Sequence, residues 1–117
     1  MNDICIKVVK TPNGNKYQVD GVIKKNPIFR IGRTYTLLQY DKTNKTHPLN
    51  ISSTKDGIHG GGTELMGIII SDNQNCRSVS ITIDQNTPDI LYYYCENHKG
   101  MGSSMSITKM GIGFRRR

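Results

Sequence analysis

The sequence predicts an all-β protein, a Greek-key β-sandwich of about seven or eight strands. Three observations carry that expectation. Apolar and polar residues alternate in short runs, as they do on half-buried strands. Gly, Pro, Asn and Asp cluster between those runs at close, regular intervals. No run keeps helical periodicity long enough to compete.

Ile4–Val9 alternates and reads as the first strand. Pro12-Asn13-Gly14-Asn15 signals a turn, after which Lys16–Ile23 forms the second. Ile28–Leu38 places Phe29, Ile31, Tyr35 and Leu37 in a third run, with a break at Gly32. Polar Asp41–Lys45 turns the chain, and Pro48–Ser52 continues as a strand just beyond His47. Thr54–Thr63 contains the consecutive glycines Gly60, Gly61 and Gly62 and reads as a loop. Glu64–Ser71 resumes the sheet, Ser78–Ile83 alternates, Asn86-Thr87-Pro88-Asp89 turns, and Ile90–Cys95 and Met105–Lys109 complete the set. Side chains alternate faces along a strand, so Tyr93 and Cys95 share one face while Tyr92 and Tyr94 share the other. The tyrosines are read as packing and rim hydrogen-bonding residues rather than as an electron relay.

A chain of 117 residues with 35% hydrophobic content reads as one domain, 1–117, with a single core. No apolar run approaches the length of a membrane span. Met1–Lys7 lacks the basic start and long apolar stretch of a secretory leader, so the expectation is a soluble protein, cytoplasmic or virion-associated. The three cysteines are an odd count. Cys5 and Cys76 read as free thiols, and a bridge between them would require the first strand to lie beside the Asp72–Cys76 turn. Sixteen Lys and Arg against nine Asp and Glu, with a terminal Arg115-Arg116-Arg117, favour an anionic partner: an acidic redox protein or another anionic surface. The strands lack the interleaved aromatic and basic residues of an RNA reader, so specific nucleic-acid recognition is not expected.

Residues 91–102 concentrate the chemistry. A strand-like aromatic run delivers Cys95, then His98, then Met101 at three-residue steps. A thiolate, an imidazole and a thioether in one short loop suit copper in both oxidation states, provided a second imidazole arrives from elsewhere. His47 is the first candidate, at the head of a strand that a Greek-key sandwich can lay beside the end of Ile90–Cys95. His59 is the third imidazole and the alternative. It lies in Asp56–Glu64, which lacks the following Lys-Ser/Thr pair of a phosphate-binding loop and reads as a tight, close-packed connection. Zinc is the rival metal, though structural zinc sites carry more thiolates and do not recruit thioether.

The tail Tyr92-Tyr93-Tyr94-Cys95-x-x-His98-x-x-Met101-Gly102, with an isolated upstream His47, resembles the cupredoxins, small blue-copper proteins of the plastocyanin and amicyanin type. The spacing is most similar to amicyanin. Arg30–Thr36, Thr46–Ser52, Asp56–Glu64 and Thr87–Tyr94 resemble cupredoxin-like domains of environmental bacterial and viral proteins, so the likeness spans roughly residues 17–110. It implies a type 1 copper site with His47, Cys95 and His98 as close ligands and Met101 as the axial one, and favours His47 over His59. It also implies that Asn50 or Thr46 ties the His47 segment to the Cys95 loop. The expected function is single-electron carriage with one copper per chain and no enzymatic activity. The alternative is a virion or assembly module that keeps the fold, with or without copper. A copper enzyme is least favoured, because only His59 is left to build a second centre.

Overall fold

The computed structural model describes residues 2–73 and 76–109. The Arg115–Arg117 tail lies outside them. Among the described residues, ten strands form two sheets: β1 (Asp3–Thr11), β2 (Gly14–Val19), β3 (Val22–Ile23), β4 (Ile28–Arg30), β5 (Thr34–Gln39), β6 (Leu49–Ser52), β7 (Ile69–Asn73), β8 (Cys76–Thr82), β9 (Ile90–Cys95) and β10 (Ser103–Thr108). One sheet runs β3-β2-β1-β5-β8-β7 and the other β4-β10-β9-β6. The all-β sandwich read from the sequence is therefore present. Two short 3-10 turns, Lys42–Asn44 and Gly57–Gly60, supply the helical content of the described residues. No helix among them is long and apolar enough to cross a membrane.

The strand count exceeds the expected seven or eight because two expected strands are each divided at a glycine. Within Lys16–Ile23, Asp20 (φ 47°) and Gly21 (φ 86°) both take left-handed conformations, making a two-residue hairpin that pairs Val19 with Val22. Within Ile28–Leu38, Gly32 (φ 86°) redirects the chain from one sheet to the other. β4 then runs parallel to β10, whereas β5 lies between β1 and β8. Glu64–Ser71 is extended only from Ile69, after Gly67 has turned the backbone.

Alternation places the core between the sheets. Ile4, Ile6 and Val8 of β1, Tyr35 and Leu37 of β5, and Val79 and Ile81 of β8 meet Leu91, Tyr93 and Cys95 of β9 and Met105 of β10. Phe29 and Tyr35, on opposite sides of the Gly32 bend, stack with ring centroids 4.0 Å apart. Tyr93 and Cys95 do share the inner face, whereas Tyr94 is buried on the other side of β9, beneath Gly57. A Cβ at Gly57 would sit 2.3 Å from the Tyr94 ring, so that contact requires glycine. Cys5 and Cys76 are exposed free thiols. They lie on β1 and β8 with β5 between them, a separation of two strand spacings, about 9–10 Å, which exceeds disulfide reach.

Candidate metal centre

Two strands of the smaller sheet bring the donors together. β6 pairs antiparallel with β9 so that Leu49 lies opposite Cys95, which sets His47, two residues before Leu49, beside the end of β9. Cys95 closes β9, and the chain then loops through His98 and Gly100 to Met101 before β10 returns. The Cys95 Sγ lies 3.8 Å from His47 Nδ1 and 3.6 Å from His98 Nδ1. The His47 and His98 rings are 4.8 Å apart between centroids. All three donor atoms fall within 4.8 Å of one another.

These separations fit a shared ion. With nitrogen about 2.0 Å and sulfur about 2.3 Å from a metal, ligands spread between tetrahedral and trigonal angles stand about 3.5–3.7 Å apart. The two Nδ1-to-sulfur distances lie at or just beyond that range. Burial grades the three donors: Cys95 is fully enclosed, His47 is 9% exposed, and His98 opens to solvent. Burial, and then the neighbouring His98, push the His47 pKa below its ordinary value. Both effects favour the neutral imidazole that a metal requires.

His47 is held through its backbone. Its carbonyl accepts from the Tyr17 hydroxyl and from Gln39 Nε2, each at 2.7 Å. Gln39 Oε1 also accepts from the Leu49 amide at 2.9 Å, so one side chain grips the chain on both sides of Pro48. Burial, and then the adjacent Cys95, push the Tyr17 phenol far above its ordinary pKa, which keeps it a donor. The expected tie between the His47 segment and the Cys95 loop exists in two forms. Asn97 Nδ2 donates to the Thr46 carbonyl at 3.0 Å. Asn50, on β6, donates to Glu64 and Glu96, each at 2.9 Å.

His59 is not in the donor cluster. Its Nε2 lies 2.7 Å from the Cys95 carbonyl, which can only accept, so the proton is on Nε2. Met101 is buried at 1% exposure in the core next to the loop, and its carbonyl accepts from the Tyr17 amide at 2.9 Å. Sequence reading missed Tyr17, Lys16 and Asp56, whose partners lie 30 to 84 positions away and leave no local signal. Gln39 does leave one: it is a polar residue at the inward position that follows Tyr35 and Leu37.

Exposed lysines lie near this end. Lys42, Lys45, Lys55 and Lys99 are exposed, and none forms an ion pair among the described residues. Of the nearby carboxylates, Asp41 pairs with Lys7, and Asp72 and Glu96 pair with Arg77, whereas Asp56 and Glu64 accept from neutral donors and keep their charge. Lys42 and Lys45 line a pocket with Thr46, Pro48 and Asn97 immediately beside His47. The chain matches no family model, no curated protein and no solved structure.

Proposed function

We propose that the protein is a cupredoxin-like, type 1 copper protein that carries single electrons, with His47, Cys95 and His98 as close ligands and Met101 as the axial one. The observation that carries this reading is the convergence of two Nδ1 atoms on one buried thiol at the end of a β-sandwich. Copper bound there supplies a one-electron couple, and a mixed thiolate, imidazole and thioether set suits both of its oxidation states. The chain's own part is to hold the donors still. Gln39 and Tyr17 fix the His47 backbone, the core encloses Cys95, and Met101 adds the soft donor that zinc sites do not recruit.

The reading makes the protein a carrier rather than an enzyme, because His59, the remaining imidazole, is committed to the Cys95 carbonyl. His98 is the ligand that a partner can touch, and the lysines around it suit an acidic partner surface. Charge reversal of Lys45 and Lys99 should slow reduction by anionic reagents and flatten its salt dependence; rates indifferent to both changes would remove the acidic-partner claim.

Copper(II) added to the purified protein should bind one ion per chain and give an intense visible thiolate-to-copper band. Cys95→Ser should abolish that band while the far-ultraviolet spectrum of the fold survives. Uptake of zinc alone, or a band that persists without Cys95, would overturn the assignment. A colourless protein that assembles into large particles would support the structural-module alternative instead.

A further inference from the structure

The Gly57–Gly60 turn, together with the Asp56 that precedes it, touches the ligand loop at both ends. At the start of the loop, His59 Nε2 donates to the Cys95 carbonyl at 2.7 Å. At its end, both oxygens of the Asp56 carboxylate accept from the Gly100 amide, each at 3.1 Å. The turn itself is fixed: the His59 amide donates to the Asp56 carbonyl at 3.0 Å, and Gly57 packs closely against the Tyr94 ring. Asp56 adopts a left-handed conformation, φ 59° and ψ 17°, and makes no side-chain cap to its own turn. Its carboxylate is directed to the loop instead.

We propose that Asp56 and His59 are positioning residues that bracket the segment from Cys95 to Gly100 and thereby fix His98. The inference rests on the copper reading and assigns the glycine-rich connection a part in it. His98 needs such support more than the other ligands. Cys95 ends a strand and His47 is held by Gln39 and Tyr17, but His98 is exposed and lies in the loop between strands. A loop held at both its first carbonyl and its last amide cannot lengthen or swing without breaking one of these bonds. On the far side, Lys16 Nζ donates to the Gly100 carbonyl at 2.8 Å, so the two peptide groups of Gly100 are held by opposite charges.

The test compares Asp56→Gly with Asp56→Asn. Glycine accepts φ 59° without strain while removing the carboxylate, and asparagine keeps one oxygen that can accept from Gly100. In the metal-free protein, Asp56→Gly should speed exchange of the Gly100 amide by about tenfold or more. In the copper-loaded protein it should weaken copper(II) binding by about 10- to 100-fold and shift the visible band. Asp56→Asn should restore most of both. At the other end, His59→Ala should weaken binding, and His59→Gln, which can still donate from Nε2, should recover it; this pair serves if Asp56→Gly does not fold.

Faster Gly100 exchange with copper affinity and spectrum unchanged would overturn the positioning role and leave the bonds as simple loop supports. Unchanged exchange in a folded Asp56→Gly would overturn the bracket itself. A wild-type protein that takes up no copper would instead sink the copper reading, and the positioning role with it.

Discussion

Gln39→Leu should cost more stability than any other single side-chain change around the site that preserves volume. In the native protein Gln39 makes three hydrogen bonds: Nε2 to Asn44 Oδ1 at 2.9 Å, Nε2 to the His47 carbonyl at 2.7 Å, and Oε1 from the Leu49 amide at 2.9 Å. Leucine fills the space and satisfies none of them. The His47 carbonyl keeps the Tyr17 hydroxyl, so it is not orphaned. The Leu49 amide, on a residue with no exposed surface, loses its side-chain acceptor, and Asn44 loses a donor at 7% exposure. At about 1–3 kcal/mol for each buried group left unsatisfied, the expected loss is about 3 kcal/mol. Unfolding entropy near 2.1 cal/mol/K per residue gives a chain of 117 residues about 0.25 kcal/mol/K, so the melting temperature should fall by about 12 °C. Tyr17→Phe is the matched control: it removes one donor from a carbonyl that Gln39 still satisfies, and should cost only about 1 kcal/mol, or 4 °C. Urea unfolding of the metal-free variants measures both. A Gln39→Leu loss no larger than that of Tyr17→Phe would refute the claim that the orphaned groups set the cost.

Gly102→Ala should prevent folding or cost more than about 4 kcal/mol, because the new Cβ would fall 1.8 Å from the Tyr93 carbonyl oxygen across the β9–β10 pair; a soluble variant with near-normal unfolding would contradict this. Met101→Leu should change stability by less than about 1.5 kcal/mol while raising the reduction potential; an unchanged potential and spectrum in a copper-loaded variant would make Met101 a packing residue. The Thr43 hydroxyl, and then its amide, hold Asp41 below its ordinary pKa of 3.8, so this contribution is present above that pH and is lost as pH falls through the lower native value. The stability gap between wild type and Asp41→Asn should therefore shrink between pH 7 and strongly acidic buffer, and a constant gap would show that Asp41 acts by packing alone.

The strands and two of the donors were legible because each rests on a local pattern. Alternation marked Ile4, Ile6 and Val8, and the three-residue steps of Cys95 and His98 survive in a loop too short to scatter them. The sheet switch at Gly32 was visible only as a break, since a glycine at φ 86° permits the bend without saying that the two halves enter different sheets. The role of His59 was not legible. Its meaning depends on a bond to a backbone carbonyl 36 positions away, and carbonyls carry no residue identity. The same holds for Lys16, whose ammonium reaches the Gly100 carbonyl across 84 positions.

The two sheets divide the work of the site. His47, Cys95, His98 and Met101 all flank strands of the smaller sheet, at the head of β6, the end of β9 and the loop into β10. The groups that reach across to hold them come from the larger one. Lys16 and Tyr17 are on β2, Gln39 ends β5, and Arg77 on β8 donates to the Leu49 carbonyl at 2.9 Å and to Glu96 at 3.3 Å. Donor geometry therefore depends on the register between the sheets as well as on the loop that carries the ligands. Side chains in a dense core cannot slide without opening voids, so Ile6, Leu37 and Tyr93, which fill the space between the layers, also hold the donor side chains and their supports in line. A cavity made there, far from any donor atom, should reach the site through Tyr17 and Gln39 before it reaches it through the loop.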